Sequence, residues 1–200
     1  MKKAGIIASV FGMVVNFALF LSKLYVASGS NSLSIYCDSI NNLFDVFSCA
    51  VVFCGFLLAA RLEERPAMRT QSLFTFVVST IVAVTGAYFI YNGVQRVMYP
   101  VQISYSYRYA AVILITVLVK IIMAVVYYFL NKKAKSKMLS ALVLDCVLDC
   151  GITVFTLLGF FVVKKAGFAV DGIFAVALGL IITVSAVKNI VAEAKYIIND

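Results

Sequence analysis

The chain has 200 residues, 64% of them hydrophobic, and a mean hydropathy of +1.04. That is well above the roughly 45–50% apolar content of soluble globular domains, and it excludes a water-soluble fold. Seventeen Lys and Arg face nine Asp and Glu, but in so apolar a chain the excess orients helices rather than gripping phosphates, so no nucleic-acid partner is expected.

Apolar runs of about 20 residues, long enough to cross a bilayer as a helix, occur six times, at about 5–27, 33–60, 72–98, 108–130, 138–163 and 172–197. The first is too long for a signal-peptide core and has no small-residue cleavage site after it, so it is expected to stay as a helix. Gly29-Ser30-Asn31-Ser32 joins the first pair of spans, Glu63-Glu64-Arg65-Pro66 the second, and Tyr99-Pro100 closes the third. The expected fold class is therefore all-α integral membrane, a bundle of six transmembrane helices. It forms a single transmembrane domain over 1–200, and no C-terminal cytoplasmic domain is expected.

Six spans put both termini on one side. The N-terminus (Lys2, Lys3), the loop after span two (Arg61, Arg65, Arg69), the loop after span four (Lys132, Lys133, Lys135, Lys137) and the C-terminal end (Lys188, Lys195) together carry eleven basic residues. The opposite loops are assigned five: Lys23, Arg96, Arg108, Lys164 and Lys165. The asymmetry predicts cytoplasmic termini, and the expected location is the plasma membrane of a prokaryote. The tyrosines Tyr99, Tyr105, Tyr107 and Tyr109 then fall at the external end of spans three and four, as an aromatic interface belt would.

An ionised side chain at mid-bilayer costs about 2.5–3.5 kcal/mol even on the lenient insertion scale, so acids within spans face a bundle interior or a water path. Four qualify: Asp38, Asp45, Asp145 and Asp149. In span two Asp38, Asn41 and Asp45 stand at i, i+3 and i+7 on one helical stripe, and in span five Asp145 and Asp149 are i, i+4 neighbours. At about 1.5 Å rise per residue, Asp149 lies roughly 16 Å from the start of span five and Asp45 roughly 18 Å from the start of span two, so both sit near the midplane. If the two antiparallel helices are neighbours, Asn41, Asp45, Asp145 and Asp149 converge on one volume. Carboxylates crowded in a low dielectric require a cation or protons to balance them, so such a site exchanges a metal for protons. Carboxylate and carboxamide oxygens are hard ligands suited to manganese, magnesium, calcium or iron(II), and the chain has no histidine to offer a nitrogen ligand.

These residues resemble a known family. Asn31-Ser32-Leu33 through Asp45, followed by Arg65-Pro66-Ala67, is similar to the second span and following loop of the cation diffusion facilitators, whose signature is a His or Asp, three residues, then Asp. Asn41 and Asp45 occupy those two positions. In span five, Ser136-Lys137-Met138-Leu139 leads to Asp145 and Asp149 at the second signature pair. Weaker matches are Asn16, the stretch Tyr91 to Pro100, and Asp171 and Glu193 around span six. The resemblance covers nearly the whole chain. It implies a six-helix bundle of cation diffusion facilitator type acting as a homodimeric exporter, in which divalent metal leaves the cytoplasm in exchange for protons by alternating access. Histidine-bearing sites in the family go with zinc, and an all-oxygen set resembles the manganese or iron branches. The metal residues are then Asn41, Asp45, Asp145 and Asp149, with Asp38 as a further candidate, and manganese is the first choice of ion with iron(II) next. Family members usually carry a metal-sensing C-terminal domain and often a histidine-rich second loop, and this sequence shows neither.

Other readings stand beside this one. The acids can serve as hydrogen-bonding glue between helices. Lys120, in the middle of span four, is either a tethered counter-charge for an aspartate or a snorkelling or structural lysine. Cys146 and Cys150 sit about 100° around the helix from the preceding Asp, where packing is their ordinary use. The five cysteines have no CxxC spacing and indicate neither a disulfide framework nor a zinc knuckle. A membrane metal-binding or assembly protein that does not transport, or an exporter of Zn2+, Co2+ or Cd2+, are the alternative functions. No nucleophile or phosphate-binding loop supports an enzyme, and no cofactor is expected beyond the transported ion.

Overall fold

In the computed structural model, which describes residues 2–61, 64–134, 137–166 and 169–199, the chain runs up and down through six helices. They are α1 (Lys2–Ser30), α2 (Leu33–Arg61), α3 (Glu64–Met98), α4 (Tyr107–Ala134), α5 (Lys137–Ala166) and α6 (Ala169–Asn199). Each contains a stretch long and apolar enough to cross a membrane, from Gly5–Ser30 in α1 to Val170–Ile198 in α6. In lipid an extended segment would leave its backbone groups unpaired, so helices satisfied within themselves are the stable solution. The chain is an integral, multi-pass membrane protein. Large apolar side chains such as Val14, Tyr25, Ile122, Val147 and Leu158 point outward, the arrangement expected where the surrounding medium is hydrocarbon rather than water.

The helices overrun the apolar runs that announce them. Gly29 and Ser30, expected in a loop, complete α1, and the turn into α2 is made by Asn31 at φ 62°. Asn tolerates this left-handed conformation better than most residues, so one residue ends the helix and reverses the chain. Likewise α3 begins at Glu64, well ahead of its apolar stretch. Pro66 fits there because a first-turn residue has no helical hydrogen bond for its missing N–H to break. The expected break at Tyr99-Pro100 is present, since α3 ends at Met98. Glu63, Lys135 and Ser136 lie outside the described residues, as do the side chains of Arg61, Arg65, Arg69, Lys137, Lys164 and Lys165.

The largest helix contacts are between α3 and α6, α1 and α2, and α4 and α5. With α4 also packing on α1, and α2 on α5, the four helices α1, α2, α4 and α5 form a bundle onto which the α3–α6 pair docks through α2 and α5. Glycines let α3 and α6 meet backbone to backbone. A Cβ added at Gly93 would lie 2.9 Å from Gly172 O and one added at Gly179 would lie 2.9 Å from Gly86 O. Gly86 and Gly93, like Gly172 and Gly179, are seven residues apart and so recur on one face. Small residues at such crossings supply the close van der Waals packing that holds helices together where lipid removes the hydrophobic drive.

Lys23 corrects the sequence assignment. It is not an external loop residue but a fully buried one inside α1, which removes it from the count of basic residues on the far side. It shares a heptad stripe with Ser9, Asn16 and Ser30, all buried, so a polar row runs along the inward face of α1 beside the apolar Ala8, Leu19, Val26 and Ala27. At the far end, Asp171 in the first turn of α6 accepts from Ser32 Oγ (2.6 Å), Ser34 Oγ (2.6 Å) and the backbone N–H groups of Leu33 (2.7 Å) and Ser34 (3.2 Å). A carboxylate from one helix thus satisfies the orphan donors at the start of another. The segment between α3 and α4 folds back over this end: Ser104 N–H donates to Ser30 O at 2.9 Å, and Tyr105 stacks on Phe160 with ring centroids 5.0 Å apart. Tyr105 is therefore part of the packing here, whereas Tyr99 and Tyr107 are exposed as a belt requires.

Candidate metal-cation site

The inward face of α5 is the stripe Leu142, Cys146, Asp149, Thr153, Thr156 and Phe160, all buried. Its i, i+3/i+4 spacing fixes which acid points inward. Asp149 lies on this stripe, while Asp145 sits about 40° around the helix from it by the 3.6-residue period. Asp149 is buried and Asp145 is exposed. On α2, Asp38 and Asn42 are buried, and Asn41 and Asp45 lie half-buried beside them.

Asp45 and Asp149 meet at a single cation, the Lys120 ammonium of α4. Its Nζ is 2.8 Å from Asp45 Oδ2 and 2.6 Å from Asp149 Oδ2, with Lys120 only 1% exposed. Asn41 Nδ2 donates to Asp149 Oδ1 at 2.9 Å, tying α2 directly to α5. So Asn41, Asp45 and Asp149 come together as the spacing predicts, and the aspartates face one environment. Lys120 does not snorkel; it is ion-paired with both aspartates inside the bundle. α4 packs on α1 and α5 rather than on α2, so its side chain reaches across the bundle to Asp45.

A second ammonium repeats this arrangement nearer the far end. Lys23 Nζ from α1 donates to Asp38 Oδ1 at 2.9 Å and to Thr153 Oγ1 at 2.7 Å, again joining α2 and α5. Asp38 is thereby placed in a separate cluster rather than beside Asp45 and Asp149. Lys23 and Thr153 were not foreseen as its partners.

A cavity of about 810 Å³ opens between α2, α3, α5 and α6. Asn41, Asp45, Asp145 and Asp149 line one wall, and residues of α6 from Leu180 to Asn189 line another. Its lining runs from Asn41 to Ser48 on α2, from Asp145 to Phe155 on α5 and from Leu180 to Asn189 on α6, so the cavity lies near the middle of the bundle. Asp145 borders this space but makes no ion pair with Lys120. Among the described residues, no three carboxylate or thiol side chains are arranged to close on a metal ion. The place where two carboxylates converge is held by the lysine.

On the other side of Lys120, a void of about 10 Å³ is lined by Asn16, Cys49, Tyr127, Cys146 and the site carboxylates. Cys49, Cys146 and Tyr127 belong to a buried apolar cluster with Ala8, Met123 and Leu142, so Cys146 packs as its helical angle predicts.

A family model described as the cation efflux transmembrane domain matches residues 9–198. The chain belongs to the cation efflux family. This covers all six helices and sets the function class as metal-cation transport across a membrane rather than enzymatic catalysis. No curated protein matches the chain. Asn41, Asp45, Asp145 and Asp149 all stand on the wall of the cavity.

Proposed function

We propose that this cation efflux protein exports a divalent metal ion, manganese first and iron(II) next, from the cytoplasm in exchange for protons. Asp45 and Asp149 bind the ion, and Asn41 and Asp145 complete its oxygen shell from the cavity wall. The carboxylates take up protons as the ion departs. No cofactor takes part. The observation that carries the reading is the convergence of Asp45 and Asp149, from two antiparallel helices, on one cation held at 2.8 and 2.6 Å. Oxygen donors without histidine favour hard ions.

Alternating access draws support from the asymmetry of the bundle. The cavity opens at mid-bundle, whereas the Lys23–Asp38–Thr153 cluster and the Asp171 cap bind the helices together toward the end away from the chain termini. With cytoplasmic termini, the end bound together in this way is the external one. The transporter works as a homodimer in the plasma membrane.

A second reading is favoured by Lys120: a site balanced by its own ammonium can persist without metal, as in a binding or assembly protein that moves no ion. Flux separates the two. Purified protein in vesicles with a fixed pH gradient, offered Mn2+, Fe2+, Zn2+, Co2+ and Cd2+ in competition, is expected to take up Mn2+ most readily and to dissipate the gradient as it does. Metal bound without pH-driven uptake would overturn the exporter in favour of the binder.

A further inference from the structure

Two carboxylates hold the lysine of the site. Nζ of Lys120 occupies Oδ2 of both Asp45 and Asp149, and the remaining oxygen of Asp149 is taken by Asn41. An ion binding both carboxylates must therefore displace the ammonium, because a dication added beside it would place like charges within a few ångströms in a low dielectric. The lysine is 1% exposed and cannot simply swing into lipid. The small void beside it is the adjoining free space, and about 10 Å³ is close to the room one water-sized group needs.

That void holds an unused acceptor. Asn16 is 2% exposed, its Nδ2 is turned toward Cys49 Sγ at 3.8 Å, and its Oδ1 has no hydrogen-bond donor. Among the described residues the other buried acceptors without a donor, Asp38 Oδ2 and Asn42 Oδ1, do not line this space. A buried carbonyl left unpaired is costly unless some state of the molecule pairs it.

We propose that Lys120 is a tethered competitor for the substrate ion, held by Asp45 and Asp149 when the site is empty and received by Asn16 Oδ1 when metal binds. The proposal rests on the metal-binding reading of the site and adds a determinant of selectivity. Exchanging an ammonium for a dication increases the charge between the carboxylates, whereas exchanging it for Na+ or K+ does not. The lysine thus filters by charge, excluding abundant monovalent ions. Its release to Asn16 lowers the free energy of the metal-bound state by differential contact, as any population shift requires.

The test uses the full chain in nanodiscs, with Mn2+ binding measured in Na+ and in the bulky cation N-methylglucamine. The unaltered protein is expected to bind Mn2+ equally in both. Lys120→Met is expected to bind Mn2+ about tenfold tighter or more in N-methylglucamine, within the ordinary range of coupling between sites, and to lose that gain in Na+. Asn16→Leu keeps the lysine and removes its receiving oxygen, so Mn2+ binding should weaken by about tenfold on the same scale while Na+ insensitivity remains. Because Lys120→Met leaves two carboxylates facing each other, its fold is checked by thermal unfolding. Should it fail to fold, Asn16→Leu decides alone. Unchanged Mn2+ affinity in Asn16→Leu and in any folded Lys120→Met overturns the competitor. Mn2+ binding that survives Asp149→Asn instead overturns the metal site itself.

Discussion

Lys23 Nζ and Asp38 Oδ1 lie 2.9 Å apart, both fully enclosed by protein, and the pair joins α1 to α2 seven residues along the helix from Asp45. Removing one member strands a buried charge, which in buried pairs costs about 3–5 kcal/mol. Lys23→Met is therefore expected to lower the thermal unfolding midpoint in detergent sharply. The double variant Lys23→Met/Asp38→Asn, with no charge left, should recover most of the loss. A double variant as unstable as the single would show that the pair matters for shape and not for charge.

Asp149 accepts both Asn41 and Lys120, so it links three helices. Asp149→Asn keeps the size of the side chain, and Asp45 remains to hold the lysine. Metal flux in vesicles is expected to fall by at least about tenfold, while unfolding shifts little. Flux at the level of the unaltered protein would count against the site.

The four hydrogen bonds to Asp171 predict a different phenotype. Asp171→Ala leaves buried hydroxyl and backbone donors at the start of α2 without an acceptor, a loss of about 1–3 kcal/mol. Thermal unfolding should report it, with Asp171→Asn in between. Metal binding at Asp45 and Asp149 should survive in the folded fraction, because the cap is at the start of α2, about 18 Å along the helix from Asp45.

At the α3–α6 crossing, Gly172→Val would drive a side chain into Gly93 O, which a Cβ already approaches at 2.7 Å. Overpacking costs about 1–3 kcal/mol where neighbours can shift, and backbone shifts less readily than side chains. The variant is expected to unfold at lower temperature than Gly151→Val, whose added Cβ meets nothing within 4 Å.

Much of this was legible from residue order. Six apolar runs mark the six helices, and the i, i+3, i+7 spacing of Asp38, Asn41 and Asp45 marks the inward face of α2. Helix ends were less legible, because a helix continues past the lipid boundary wherever its backbone can, as at Glu64 and Ser30. Lys23 was misplaced because a basic residue near the end of a span looks like an interface anchor. Its seven-residue step from Asn16 was the signal that it faces inward. The division of labour between Asp145 and Asp149 depends on about 40° of helix rotation, which only the packing of α5 against its neighbours decides. That Lys120 would reach Asp45 rather than lipid could not be read from α4 alone, since it depends on which helix lies across the bundle.

The glycine contact between α3 and α6 also bears on movement. Two helices touching through their backbones at four glycines have little room to slide past one another, so they are expected to travel as one panel. The opposite wall, made by α2 and α5, is stitched by two ammonium groups at different depths, and such links can be undone and remade. A change in the volume of the cavity is therefore expected along the stitched seam, beside Asp45 and Asp149, with the panel shifting whole.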